Sequence, residues 1–147
     1  MLYSPPPYEG RGWGEGRIEM KYPTKMSAVV KVWHPSLAVR EIERAIGRSS
    51  SISHQVGERR TRGDKAPYHD TYCAFDLVSS RVIDSVDLIR KCLGILVRRK
   101  AALSTLLGSG GKAVLSVRLE DREFVQFYME PAQLTAFATL GAGLVFE

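Results

Sequence analysis

The sequence predicts a small single domain of the α+β class, with antiparallel strands and a long central helix. Segments rich in β-branched and aromatic residues occur at 27–33 and 68–78, as strands require. Elsewhere apolar residues recur every three or four positions, most strongly from about Ser80 onward, as in amphipathic helices. The chain has 147 residues, of which 44% are hydrophobic and 25% charged. This composition is that of one globular domain and excludes a wholly disordered chain.

The composition also excludes two other classes of protein. No apolar run approaches the roughly 18 residues of a membrane-spanning helix. Two cysteines, Cys73 and Cys92, cannot form the disulfide network of a small secreted domain. The first residues lack the apolar core of a signal peptide. We therefore expect a cytoplasmic protein without a membrane segment.

The chain divides into a leader at 1–26 and one α+β domain at 27–147. The leader contains Pro5, Pro6 and Pro7 and four glycines, and it shows neither a helical nor an alternating period. Proline and glycine both resist regular structure. We therefore expect residues 1–26 to be a flexible segment that the fold does not require.

The domain begins with a strand at 27–33 and an amphipathic helix. Leu37, Ile42 and Ile46 form the apolar stripe of that helix, and Gly47 ends it. The polar residues 48–67 follow. A segment of about twenty residues without strong structure is unusual in a compact domain and is often functional. We expect at most a short strand at 52–56 within it.

In the middle of the domain, the sequence pattern predicts a strand at 68–78 followed by the long helix. In the strand, Cys73 and Phe75 share one face and Tyr72 the other, because successive side chains alternate. The helix begins near Ser80, with acids in its first turns and bases toward its end, which complements the helix dipole. Residues 101–107 either continue this helix or form a separate short one. The sequence GSGG at 108–111 is a turn.

The sequence of the last third of the domain predicts a hairpin of strands 113–119 and 124–129. A helix at 131–141 and a strand at 142–146 are predicted to follow. Residues 29–47 and 124–141 share one pattern, in which a strand is followed by proline, an amphipathic helix and glycine. Two such units suggest a split β-α-β arrangement that resembles ferredoxin-like folds. An edge strand at 142–146 or 27–33 makes a homodimer one option.

Residues 110–147, from GGKAVLSVRLEDREF to the final strand, resemble the end of the bacterial family called domain of unknown function 4279. The order of the earlier segments fits as well, so the resemblance covers about 27–147. It implies a small α+β fold. It implies no activity, because the family has no established chemistry to carry over.

Few residues suggest catalysis or metal binding. His34, His54 and His69 lack the spacing of a metal site, so we predict no metal and no cofactor. His34 precedes Pro35 at a strand end, where we expect it to make local hydrogen bonds. An enzyme with an acid–base pair of His54 or His69 with Asp70, or with Cys73 as a nucleophile, is the alternative.

Basic residues give the most specific hypothesis about partners. The chain carries a formal charge of +5, and its bases cluster at 58–65 and 98–100. We expect a non-enzymatic protein-binding module, such as an immunity-type inhibitor, which contacts an acidic partner through loop 48–67. The alternative is a nucleic-acid-binding protein that uses 58–65 and 98–100 together. The predicted contact residues are Arg59, Arg60, Arg62 and Lys65.

Overall fold

The structure is a computed structural model that describes residues 26–61, 63, 66–80, 84–119 and 127–147. Apart from Met26, the predicted leader lies outside these ranges, as do Arg62 and Lys65. The elements, in chain order, are β1 (Met26–His34), α1 (Val39–Ile46), β2 (Ile52–His54), β3 (Thr71–Ser80), α2 (Ser85–Val97), α3 (Lys100–Gly108), β4 (Lys112–Leu119), α4 (Pro131–Leu140) and β5 (Gly143–Phe146).

The described strands form one mixed sheet in the order β2-β3-β1-β4-β5. β1 is antiparallel to both β3 and β4, β2 is antiparallel to β3, and β5 is parallel to β4. The predicted α+β class is therefore confirmed. The prediction that 27–33 forms a sheet edge is wrong, because β1 has a partner strand on each side. β5 does lie at an edge of the sheet.

Among the described residues, helices cover one face of the sheet, and none covers the other, which we call the open face. Along β1 the residues alternate between buried and partly buried over all nine positions. The buried set of β1, including Val30 and Val32, shares a single apolar core with Phe75, Leu115 and the inner sides of all four helices. Because side chains alternate, the intervening residues of every strand point to the open face.

The predicted long central helix is not confirmed, because two shorter helices divide its apolar period. α2 begins after Asp84, whose side chain accepts the Asp87 backbone N–H at 2.8 Å, and it ends at Val97. Arg99 leaves the helical conformation, with φ −112° and ψ 23°. The turn lets α3 bring its own buried residues, Leu103 and Leu106, into the core.

The C-terminal region follows the prediction in part. Residues 120–126, which hold the predicted turn and the first half of the second hairpin strand, lie outside the described residues, and 127–129 are not in a strand. The final helix and strand are present as α4 and β5. Among the helices of the described ranges, none has the length and apolarity to cross a bilayer.

A candidate ligand face on the open side of the sheet

Four side chains on the open face form a continuous line across four strands. Trp33 of β1 is the direct register partner of Tyr72 in β3 and of Lys112 in β4. Tyr72 is in turn the partner of His54 in β2. Direct partners on one face have Cβ atoms only about 5 Å apart, so these side chains contact one another.

The rings of this line are in contact along its whole length. The centroids of Trp33 and Tyr72 are 5.2 Å apart, and those of Tyr72 and His54 are 5.4 Å apart. His54 stacks on Tyr68 at 3.5 Å with planes 12° apart. A cation closes each end, with the Lys112 Nζ 5.3 Å from the Trp33 centroid and the Arg60 Cζ 5.1 Å from that of Tyr68. We call this set the aromatic row: Lys112, Trp33, Tyr72, His54, Tyr68 and Arg60.

His54 carries a polar atom that the fold leaves unused. Its Nδ1 is buried, and no described residue gives it a hydrogen bond. Burial lowers the pKa of His54 below its usual 6.5, against the opposing effect of nearby Glu58. The neutral ring therefore belongs to the aromatic surface and adds no fixed charge at neutral pH.

His34 lies at the same end of the sheet but faces the helices, and there every polar atom of the ring has a partner. Its Nδ1 accepts the backbone N–H groups of Ser36 and Leu37, each at 3.1 Å. Nε2 therefore carries the proton and donates to the Ser109 Oγ at 2.9 Å. The predicted role of His34 in local hydrogen bonding is confirmed.

A cleft of about 430 Å³ opens beside Trp33 at the Lys112 end of the aromatic row. Gly111, next to its wall, permits the close approach of α3 and β4. A Cβ there would lie 2.7 Å from the Leu106 carbonyl oxygen and 3.0 Å from the His34 ring. The cleft is lined by Trp33, His34, Pro35, Asp70, Gly110 and Lys112.

The other end of the open face is occupied by ion pairing. The Glu147 carboxylate accepts from Lys31 Nζ at 2.9 Å, from Arg118 at 3.4 Å and from the Ser116 hydroxyl. The Ser116 hydrogen bond, followed by the one from Lys31, lowers the pKa of Glu147 to about 2. Lys31 and Arg118 thus face a carboxylate within the protein, whereas Lys112 lies over the Trp33 ring and forms no ion pair with a described residue.

Loop 48–67 is more ordered at its base than the sequence predicts. The Gly57 N–H donates to the Tyr68 carbonyl, and the Tyr68 N–H donates to Glu58, both at 3.0 Å. Arg59 is exposed and forms a bridge with Pro67, while Arg60 contributes to the aromatic row. Of the four predicted contact residues, the structure therefore places Arg59 and Arg60.

The two basic clusters lie at opposite ends of α1. Gln55, at the start of the basic loop, accepts the N–H of Val39, the first residue of α1. The Arg99 guanidinium lies against Gly47, which caps the other end of this helix. Eight residues of helix span about 12 Å. Arg99 thus faces the negative end of the α1 dipole. A binding surface that joins 58–65 and 98–100 stays a prediction, because Arg62 and Lys65 lie outside the described residues.

The predicted catalytic alternatives find no assembled arrangement among the described residues. Cys73 points into the helix-covered core, where burial raises the pKa of its thiol to about 11, and His69 is exposed. Asp70 lies near enough to His54 to raise the pKa of its ring against the effect of burial, but no hydrogen bond joins their side chains in the described residues. In the ranges that the structure describes, no group of three or more His, Cys, Asp or Glu side chains could hold a metal ion.

Sequence reasoning missed the aromatic row. Tyr72 was placed on the correct face of its strand, but its neighbours Trp33 and Lys112 come from distant parts of the chain. The signal that finds them is the pairing of β1 with β3 and β4, which strand alternation alone does not supply.

Comparison of the chain with protein-family models, with curated proteins and with solved structures finds no match. Function is therefore inferred from the chemistry of the site itself.

Proposed function

We propose that this protein is a non-enzymatic binding protein that holds single-stranded nucleic acid on its aromatic row. The observation that carries the proposal is the unbroken contact line from Lys112 through Trp33 and Tyr72 to His54 on an open sheet face. On a face that merely met water, we would expect scattered polar side chains instead.

The chemistry of the row matches that of unpaired nucleotides. Every base has a π-face, so a surface of aromatic rings binds exposed bases whatever their sequence. Cations beside those rings attract the phosphates between the bases. Lys112 and Arg60 lie at the two ends of the row, where a strand crossing the sheet would pass. A duplex keeps its bases stacked inside and does not offer them to such a surface.

The fold supports the same interpretation by analogy. We propose that the first four strands and their helices have the split β-α-β, ferredoxin-like arrangement. The order β2-β3-β1-β4, with antiparallel neighbours, supports it. A common RNA-binding module also uses a four-stranded sheet whose aromatic residues stack on two or three bases. The resemblance to domain of unknown function 4279, the cytoplasmic location and a homodimer stay predictions.

The test is fluorescence anisotropy with labelled oligouridine and oligothymidine strands about 12 nucleotides long, a length within the range bound by single-strand proteins. Trp33→Leu keeps apolar bulk but removes the stacking surface, so we expect binding about 5- to 100-fold weaker, equivalent to the 1–3 kcal/mol of one stacked base. Lys112→Gln should reduce the slope of log K against log salt by about 0.7, the value for one phosphate contact.

Lys100→Gln is the matched control, because it removes one charge from the cluster at 98–100 and leaves the row intact. Its affinity should equal that of the wild type. Thermal unfolding of each variant shows whether the fold is retained. Equal binding by Trp33→Leu and the wild type, or tighter binding of a duplex of the same length, would contradict the proposal.

A protein partner is the second candidate, and a different surface favours it. β2 pairs with β3 only from Tyr72 to Ala74, so the outer edge of β3 beyond Asp76 has no partner strand among the described residues. A groove of about 520 Å³ lies between this edge and α2, and its lining includes Lys91 and Arg98. An extended acidic segment, as in an immunity-type complex, suits this groove because such segments add to sheet edges.

A labelled peptide of alternating valine and glutamate tests this second candidate. It should bind the wild type, and the double variant Lys91→Glu, Arg98→Glu should abolish binding. A peptide of alternating valine and lysine is the control. If the two peptides bind alike, or the charge reversal has no effect, the groove is not an acidic-peptide site.

A further inference from the structure

The cleft beside Trp33 has the size and position of a site for one base of a bound strand. Its volume of about 430 Å³ lies within the range of small-ligand pockets, roughly 300–1,000 Å³. Trp33 belongs both to the cleft and to the aromatic row. A strand lying along the row therefore brings a base to the mouth of the cleft.

Few polar side-chain groups in the cleft are available to a ligand, because the others already have hydrogen-bond partners in the protein. Both ring nitrogens of His34 have partners in the protein. Pro35 has no N–H. What remains is the carboxylate of Asp70 and the ammonium of Lys112, which line the cleft together. Asp70 is half-buried, and within the described ranges no ion pair or hydrogen bond involves its carboxylate.

These two groups together select among the four bases. A carboxylate only accepts hydrogen bonds, and it accepts best from two donors side by side. Guanine alone presents two adjacent donors, N1–H and N2–H₂, while its O6 and N7 suit an ammonium donor. In adenine and cytosine a ring-nitrogen acceptor lies beside the amino group, and in uracil two carbonyls flank N3–H, so each turns a lone pair toward the carboxylate.

We propose that this cleft is a guanine subsite, in which Trp33 stacks on the base, Asp70 accepts from N1–H and N2–H₂, and Lys112 donates to the O6 edge or the adjoining phosphate. The inference rests on the proposed function, since it assigns the base that one position of the same row prefers. It predicts selectivity at one nucleotide, whereas the rest of the row is indifferent to sequence.

The experiment compares nine-nucleotide RNAs that differ only at the central position of an oligouridine strand. We expect central guanine to bind about 5- to 100-fold more tightly than central adenine, cytosine or uracil, the range for one bidentate base contact. Central inosine lacks only the N2 amino group and should fall between guanine and adenine. Asp70→Asn should lose the preference for guanine, because an amide presents both a donor and an acceptor and matches adenine instead.

Asp76→Asn is the matched control, since Asp76 is an exposed aspartate in β3, the strand that follows Asp70, and lies outside the cleft. It should keep the guanine preference. Equal binding of all four RNAs, with a loss of affinity in Trp33→Leu, would overturn the guanine subsite and leave the proposed function standing. Binding of none of the RNAs would overturn both. A guanine preference that survives Asp70→Asn would show that the carboxylate does not read the base.

Discussion

The two faces of the sheet carry different kinds of side chain, although both are built from alternate residues of the same strands. One face is an apolar core, and the other is a surface of aromatic and cationic side chains. On the helix-covered face, Val32 and Phe75 are fully buried in an apolar core. On the open face, Trp33 and Tyr72 of the same two strands contact each other, and Lys112 lies over the Trp33 ring. Burial accounts for the first set through the hydrophobic effect. The second set makes cross-strand contacts of modest energy, which leaves its surface available to a ligand.

The two histidines at this end of the sheet repeat the contrast. His34 on the covered face is fully hydrogen-bonded, whereas the His54 Nδ1 on the open face has no hydrogen-bond partner among the described residues. Buried polar atoms without partners are rare, and each calls for an explanation. The comparison therefore separates a face that maintains the fold from the face that we propose binds a ligand.

The largest expected effect is a difference in the free energy of unfolding between substitutions on the two faces of β3. Phe75→Ala should lower the free energy of unfolding by about 3–5 kcal/mol, because it removes a fully buried ring. Tyr72→Ala should cost only about 1 kcal/mol, the value of a cross-strand contact, but should weaken binding of oligouridine. Urea unfolding followed by circular dichroism measures both. If Tyr72→Ala costs as much as Phe75→Ala, the row is a second core and the comparison fails.

A smaller effect concerns the junction between α3 and β4. Gly111→Ala should destabilise by about 1–3 kcal/mol, because the new methyl group would lie 2.7 Å from the fixed carbonyl oxygen of Leu106. Gly94→Ala is the matched control. Gly94 lies in α2 with open space around it, so alanine should stabilise the helix by about 0.5–1 kcal/mol. Equal thermal midpoints for the two variants would show that the close approach is not needed.

The smallest effect is expected at the ion-paired end of the open face. The pKa of Glu147 is lowered to about 2 in the folded protein. A carboxyl whose pKa is lowered by folding stabilises the protein when the pH is above the pKa of the unfolded state. This contribution is lost as the pH falls through the pKa of the folded state. Glu147→Gln should therefore lower the Tm by about 1–4 °C near pH 7, and the difference should vanish near pH 2. A difference that persists at low pH would exclude this origin.

Local patterns predicted much of the fold, and contacts between distant segments account for most of what they missed. The bounds of β1, α1 and α4 were close to correct, because alternation, apolar periodicity and glycine caps act within a few residues. The sequence left open whether 101–107 forms a separate helix, because the apolar period continues across the break at Arg99. The pairing of Trp33 with Tyr72 and Lys112 joins segments about 40 and 80 residues apart, and no local pattern encodes such a register.

At the candidate site, too, the sequence pattern located residues but not the contacts between distant segments. Arg59 and Arg60 were named for their charge, and the structure adds that Arg60 lies over Tyr68. The second basic cluster was grouped with them by charge alone, yet Arg99 lies at the opposite end of α1. Composition thus located the cations, while only the fold separates those beside aromatic rings from those that serve a helix end.

The most direct test of the account is a map of backbone amide chemical shifts in isotope-labelled protein titrated with oligouridine. The account predicts that the largest changes occur at Trp33, Tyr72, His54 and Lys112, at one end of the open face, and that α2 and α3 stay unchanged. Changes confined to the groove at Lys91 and Arg98, or no changes at saturating oligonucleotide, would contradict it.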